Sequence, residues 1–481
     1  MNRNILLVEP GYKTKFPPLG LMKISTYHTK LGDKVHFVKG YHNIQSEHGD
    51  TVQNTYWDRI YISTLFTFNW KVTVDTIKWY KWLVKDDPSR IFIGGILASL
   101  MPDDIWNETG IYPHIGLLNK SNMWGDDDNL IIDNMTPDYS LFSSYPNQYS
   151  LLDSYIGYST RGCVRKCSFC GVRKLEPDFF NYINIKPYVN EIEKNHGIKQ
   201  HLVLLDNNVL ASDKFKDIIR DIKDLGFYKG AKINNRLRCV DFNQGVDARL
   251  LTEEKIKLLA TIPMHPLRIA FDNIKEEKKY TKSVHLAAKN NIRNLSNYIL
   301  YNFKDTPEDF WQRLKINIDL NKKYDLQIYS FPMKYMPLDA KNRHYIDKPH
   351  WNWQFLRGVQ RILNVLKGAV MYKEDFFNRA FGETEKEFVK ILYMPERILM
   401  NRTDTPQKEE KEWNLKFIKL SENEKKELLN VLCENRTKKT LAIASMETKN
   451  KKIKDLLNYY VPDQTDKEPS FDEFELEEKY D

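Results

Sequence analysis

The sequence predicts an α/β protein in three structured parts: a doubly wound parallel domain, an open or partial (β/α) barrel, and a helical C-terminal region. Three observations carry that expectation. Short apolar runs alternate with helical patterns through the first 120 residues, a second alternating series starts near residue 155, and helical spacing dominates from Trp353 to about Tyr460. The boundaries follow as 1–120, a linker at 121–154, a barrel at 155–340, helices at 341–461 and an acidic tail at 462–481. At 481 residues the chain exceeds one ordinary core, and its 41% hydrophobic content excludes a globally disordered protein.

In the first part, Ile5–Val8 reads as a buried strand, too short and too soon interrupted for a signal peptide. A loop rich in proline (Pro10, Pro17, Pro18) leads to helical spacing over Leu21–Tyr27, closed by Gly32 and Asp33. Val35–Val38, Arg59–Thr64 and Arg90–Gly95 are the next strands. Ligands of such a sheet sit at the carboxyl ends of its strands, here the loops after Val8, Ser63 and Gly94-Gly95. Residues 120–155 lack periodicity. Strand candidates then recur at Tyr155–Ser159, Leu202–Leu205, Val240–Val246, Leu267–Phe271, Tyr298–Phe303 and Leu326–Phe331. No apolar run approaches the roughly 18–20 residues that span a bilayer, so a cytoplasmic protein with no membrane partner is expected.

Five cysteines are too few, and odd in number, for a disulfide framework. Cys163, Cys167 and Cys170 fall within eight residues, spaced Cys-x3-Cys-x2-Cys on a loop after a strand. Such a loop can wrap three thiolates around one face of a cubane cluster, with Gly162 and Gly171 supplying unusual backbone angles. Three ligands rather than four leave one iron open for a substrate. A structural zinc site would need a fourth ligand, for which Cys239, His196 and His201 are available, though none forms a second pair.

This segment resembles the radical SAM superfamily, whose motif Cys-x3-Cys-x-aromatic-Cys is matched by Cys163, Cys167, Phe169 and Cys170. Leu204–Asn208, Asp241–Leu250, Arg268–Asn273 and Tyr298–Phe303 look like the family's second to fifth barrel strands, and the likeness covers roughly residues 1–340. The resemblance implies a Rossmann-like first domain, a partial (β/α)6 barrel, a [4Fe–4S] cluster on the three cysteines, and S-adenosylmethionine bound at the unligated iron. One electron, from a reductant such as flavodoxin or ferredoxin, would cleave the bound molecule to methionine and a 5′-deoxyadenosyl radical. The resemblance places Phe169 near the adenine, Gln244 at the ribose and Arg249 at the carboxylate, with Asp206, Asp247 and Asp272 beside them. Asp247 and Arg249, two apart on a strand, would share a face, and Gln244 would join them only if Gly245 marks a bulge. An ion pair at the rim, Asp247 with Arg249 or Asp272 with Arg268, is the structural alternative.

The branch with a cobalamin-binding-type first domain is the nearest in pattern, through Pro17–Leu21, Ser63–Thr67 and Gly94-Gly95. No Asp-x-His-x-x-Gly is present, and Gly94-Gly95 is followed by Ile96-Leu97, so cobalamin stays open. A methylthiotransferase would carry three further N-terminal cysteines, and none precedes Cys163.

Charge gives the rival expectation. Pro462–Asp481 holds nine acidic residues and two lysines, a net of −7 against a chain total of +8, so the other 461 residues carry +15. A basic body suits an anionic substrate or nucleic acid, and a nucleic-acid-binding protein with a structural metal would use the stretch Lys78, Trp79, Tyr80, Lys81, Trp82 and Lys85. A tail so charged buries little apolar surface. Deleting 462–481 is therefore expected to leave S-adenosylmethionine cleavage nearly intact, and a loss of folding on deletion would show that the tail docks.

Overall fold

The computed structural model describes residues 2–41, 49–85, 87–126, 128–145, 148–402 and 408–461; the acidic tail lies outside the described residues. The chain is mixed α/β with parallel sheets and a helical C-terminal region.

The first sheet holds β1 (Asn4–Glu9), β2 (Lys34–Lys39), β3 (Arg59–Thr64) and β4 (Ile91–Gly95), all parallel in the order β2-β1-β3-β4. Ile5 to Val8 form a continuous apolar run because both faces of β1 are covered. Helix Leu19–Lys30 packs on one face through Leu21, Met22 and Tyr27. Helix Trp70–Leu83 packs on the other through Ile77 and Tyr80. The strand order reverses between β1 and β3.

The second series follows as β5 (Ser154–Gly157), β6 (His201–Leu204), the hairpin β7 (Lys232–Ile233) and β8 (Arg236–Leu237), β9 (Val240–Phe242), β10 (Leu267–Arg268), β11 (Asn294–Tyr301) and β12 (Gln327–Lys334). Two parallel sheets result, β5-β6-β9 and β10-β11-β12. Parallel bridges Val240 to Met264 and Val246 to Ile269 join them. The run expected at Val240–Val246 is thus broken after Phe242. Gly245 turns at φ +81° with its N–H on Phe242 O at 2.8 Å, and pairing resumes only at Val246.

The segment expected as a linker has no regular element beyond the short 3-10 turns Ile132–Asn134 and Tyr139–Phe142, yet it is packed into the main core. Phe142 meets Phe37 edge-on at 5.1 Å, and Tyr149 donates to the buried Glu9. Its buried residues Ile132, Met135, Tyr139, Phe142 and Tyr149 are spaced 3, 4, 3 and 7 apart, a helix-like spacing, yet with Pro137 in their midst only the two short 3-10 turns form. One apolar core therefore runs unbroken from Ile5 to Ile328. A second core joins β11 and helix Pro307–Tyr324 to the C-terminal helices, from Trp353–Val365 to Lys451–Leu457. No helix among the described residues is long and apolar enough to cross a membrane.

A closed ring of polar groups seals the amino end of the first sheet. His28 is wholly buried, with Nδ1 2.8 Å from Asp33 and Nε2 2.9 Å from the Tyr61 hydroxyl. Arg3 donates to Asp33 and Asp126, and Arg59 donates to Asp126. Burial outweighs the pull of Asp33 and lowers the His28 pKa from 6.5 to about 4. The unfolded chain therefore takes up this proton first as pH falls, and stability drains between pH 6.5 and about 4. Asp33, held down at about 2, loses its share only at lower pH. Denaturant unfolding across that window should show a loss of up to about 3 kcal/mol. His28→Gln should flatten the dependence; an unchanged slope in that variant would assign the loss elsewhere.

Candidate functional site at the cysteine loop

The cysteines lie at the carboxyl end of β5, on a loop that the turn after β6 holds in place. Asp206 is wholly buried and accepts four hydrogen bonds from the residues leading into the loop. The donors are Ser159 N at 3.1 Å, Ser159 Oγ and Thr160 Oγ1 at 2.7 Å each, and the Thr160 backbone N–H. Burial nonetheless raises its carboxyl pKa, because no cation pairs with it. Asn207 Nδ2 donates to Glu176 at 2.9 Å. Glu176 in turn accepts from the Gly162 N–H at 2.7 Å and from Arg161 Nη2 at 2.6 Å. Asn208 Nδ2 stands 3.4 Å from Cys163 Sγ, as does the Arg165 N–H. Each member of Asp206-Asn207-Asn208 thus serves the loop.

Gly162 adopts φ +73°, and a Cβ there would fall 2.2 Å from Asp178 O. The loop returns past Asp178 to an antiparallel bridge between Arg161 and Phe180, with N···O distances of 3.1 and 2.9 Å. Only glycine fits. Gly171, expected to need the same freedom, has φ −79°, an ordinary right-handed value. Glu176 escaped the sequence reading because it lies six residues past the last cysteine, in no motif.

A second set of charges faces the loop from the turn after β9. Asp247 accepts from Arg165 Nε at 2.9 Å and from Arg249 Nε at 2.7 Å. Burial pushes its carboxyl up, but the donors outweigh it and hold the group below the usual range. Arg249 also lies against Cys167. The rim ion pair Asp247–Arg249 is therefore present, and it reaches the cysteines. The alternative pair of Asp272 with Arg268 does not form: Arg268 binds Asp241 at 2.8 Å instead. Burial raises the Asp272 carboxyl to about 6 against the pull of Arg313 and Arg249, and Asp247 adds to the rise. Asp272, Cys163 and Cys167 all lie within electrostatic reach of Cys170. Phe169 is half-buried and meets Phe303 edge-on at 5.5 Å. Gln244 is exposed, its Nε2 3.3 Å from Asn243 Oδ1, and no hydrogen bond joins it to Asp247 or Arg249 among the described residues.

All three thiols are free. Among the described residues, no group of three or more His, Cys, Asp or Glu side chains is drawn together closely enough to hold a metal ion. Three unpaired thiols share one anchored loop, N–H donors point at Cys163, and a guanidinium lies against Cys167. The fourth ligands considered for zinc lie at the wrong end. His201 opens β6, and Cys239 precedes β9 with its carbonyl on Leu202 N. His196 ends helix Ile185–His196 against Tyr139. The cysteine loop follows the opposite strand ends, roughly 10 Å away along four residues of strand.

The basic aromatic stretch on and after helix Trp70–Leu83 is partly engaged within the chain, with Trp82 65% exposed. Lys78 pairs with Glu108, Lys81 Nζ donates to Thr109 O at 3.0 Å, and Tyr80 is buried. At the carboxyl end of the first sheet, the crevice between β1 and β3 is filled by the chain. Tyr12 is buried there with its hydroxyl 2.6 Å from Thr73 Oγ1. Leu97 N binds Leu65 O at 2.8 Å, and Ala98 N binds Thr64 Oγ1 at 2.9 Å. Glu9 is held by Lys39 at 3.1 Å. These groups, among the described residues, are bonded within the chain.

Asp206→Ala would leave four donors without their acceptor. The expected loss is on the order of 3 kcal/mol in denaturant unfolding, with Asp206→Asn losing less. An alanine variant as stable as the parent would remove Asp206 as the loop's anchor.

Compared with known proteins, the chain matches no family model and none of the curated proteins.

Proposed function

We propose that this protein is a radical SAM enzyme. The observation that carries the reading is the Cys-x3-Cys-x2-Cys loop at the carboxyl end of β5, wired by hydrogen bonds to the turn after β6. In this reading the two joined parallel sheets are the partial (β/α)6 barrel, and the four-stranded sheet is a Rossmann-like domain in which cobalamin stays open. Cys163, Cys167 and Cys170 would hold a [4Fe–4S] cluster. When bound, the cluster supplies the electron that cleaves S-adenosylmethionine to methionine and a 5′-deoxyadenosyl radical.

The chain's own part is to bind and orient. Arg249, steered by Asp247, offers a guanidinium to the methionine carboxylate beside Cys167. Phe169 and Phe303 offer aromatic edges to an adenine, and Asp272 offers a carboxyl that burial keeps ready to accept or donate a hydrogen bond near neutral pH. Asp206 acts through the loop rather than on a ligand. Gln244 reaches a ribose only if its exposed side chain turns inward on binding. An external one-electron donor of the flavodoxin or ferredoxin kind is required, and the basic charge of the body favours an anionic substrate in the cytoplasm.

Anaerobic purification should give iron and sulfide, with S-adenosylmethionine cleaved on reduction. Cys163→Ala, Cys167→Ala and Cys170→Ala should each abolish the cluster and 5′-deoxyadenosine formation. Zinc without iron or sulfide, or 5′-deoxyadenosine persisting in those variants, would overturn the reading.

A further inference from the structure

The outer edge of the first sheet is open along β2. The Lys34 N–H donates to Arg3 O and the Gly40 N–H to Glu9 O, each at 2.8 Å, so the even-numbered residues face β1. Val35, Phe37 and Lys39 therefore turn their N–H and C=O groups outward. Among the described residues no hydrogen bond reaches those groups. A cavity of about 360 Å³ lies beside them, lined by Val35, His36, Phe37 and Val38 in succession. Consecutive side chains of a strand point to opposite faces, so space that meets all four runs along the edge itself. Walls rise on both faces. Phe37 meets Phe142 on one, beside Ser25, Asp138 and Ser144, and His36 meets Trp57 on the other at 5.3 Å. Asp138 gives the first wall a charge. Its carboxylate accepts from Ser25 Oγ at 2.7 Å and from Ser140 N at 2.9 Å, and no cation pairs with it among the described residues.

We propose that this groove binds an extended peptide of a partner protein, paired with the β2 edge and presenting a lysine or arginine to Asp138. An open strand edge takes another strand, because an extended backbone repeats its N–H and C=O groups at the matching interval. Unpaired main-chain groups supply the affinity, and the carboxylate selects a cationic side chain over an acidic one. A second copy of this chain fits less well, since its own β2 lies between the same two walls, which would meet before the edges do. The site uses no group of the cysteine loop, so it stands or falls apart from the radical SAM reading.

The test uses the full chain and two fluorescein-labelled peptides, Thr-Val-Lys-Val-Thr-Val and the same sequence with Glu in place of Lys. Hydrogen exchange resolved to single amides should find Val35, Phe37 and Lys39 fast beside slow His36 and Val38. Equal protection of the two sets would overturn the proposal. By fluorescence anisotropy the lysine peptide should bind about tenfold tighter than the glutamate peptide, and it should slow exchange at Phe37. Asp138→Asn keeps the acceptor for Ser140 N but removes the charge, and should level the two peptides. Val35→Pro deletes an outward N–H, which an edge strand tolerates, and should abolish binding of both. No binding of the lysine peptide, an unchanged preference in Asp138→Asn, or full binding by a folded Val35→Pro would each overturn the proposal. Should Val35→Pro not fold, Asp138→Asn and the exchange pattern decide. A dimer in sedimentation velocity that protects the same three amides would assign the edge to a second copy and overturn the peptide.

Discussion

Four side chains of alternating charge run from the first sheet's helix to the cysteine loop, and the loop's position depends on them. Lys23 Nζ binds Asp133 O at 2.5 Å and its carboxylate at 3.3 Å. Asp133 pairs with Arg161 at 3.2 Å, and Arg161 pairs with Glu176 at 2.6 Å. Glu176 then takes the N–H of Gly162, one residue before Cys163. Lys23 and Arg161 are only 6% and 7% exposed at their side chains, so these charges act with little screening. At 3 Å and an effective dielectric near 20, each contact is worth about 5 kcal/mol before desolvation. Desolvation offsets most of that gain, so the chain adds little net stability. What it adds is order. Without Asp133, two buried cations would face each other across Tyr158, over which Arg161 stacks at 3.9 Å.

The same network explains why the segment at 121–154 is built as it is. Asp126 ties Arg3, Arg59 and Tyr27 at the amino end of the first sheet. Asp133 ties Lys23 to Arg161, and Asp138 accepts from Ser25 at 2.7 Å. These three acidic residues fasten an irregular strand of chain against helix Leu19–Lys30 and the sheet beside it. The segment joins the two halves by contact, not by mere connection.

What the sequence could reveal was periodic or spaced. All four strands of the first sheet lie where their apolar runs place them: the central β1 and β3 are buried almost throughout, and the edge strands β2 and β4 keep shorter buried runs. The cysteine spacing located the loop. Spacing puts Asp247 and Arg249 on one strand face, with their ion pair as the alternative; the pair forms, but not on a strand. They lie in a turn, where Asp247 Oδ1 also accepts the Arg249 backbone N–H at 2.9 Å. The rest was hidden because it rests on long-range contacts: Arg165 to Asp247 spans 82 residues, and Lys23 to Asp133 spans 110. No local pattern encodes such partners. His28 likewise reads as one more histidine until Asp33 and Tyr61 close around it.

The filled crevice gives the first sheet a mechanical role. A doubly wound sheet offers its ligand site where strand order reverses, here between β1 and β3. Tyr12 occupies that place and ties the loop after β1 to helix Trp70–Leu83, so a ligand would have to displace a buried ring. The carboxyl edge instead meets the rest of the chain. Leu100, just beyond β4, and Leu338, just beyond β12, both approach Gly171 at the end of the cysteine loop. Lys23 reaches the start of that loop through Asp133 and Arg161. Held at Gly162 by the Glu176 carboxylate and at Gly171 by apolar contact, the loop has both ends fixed, with the three cysteines between them.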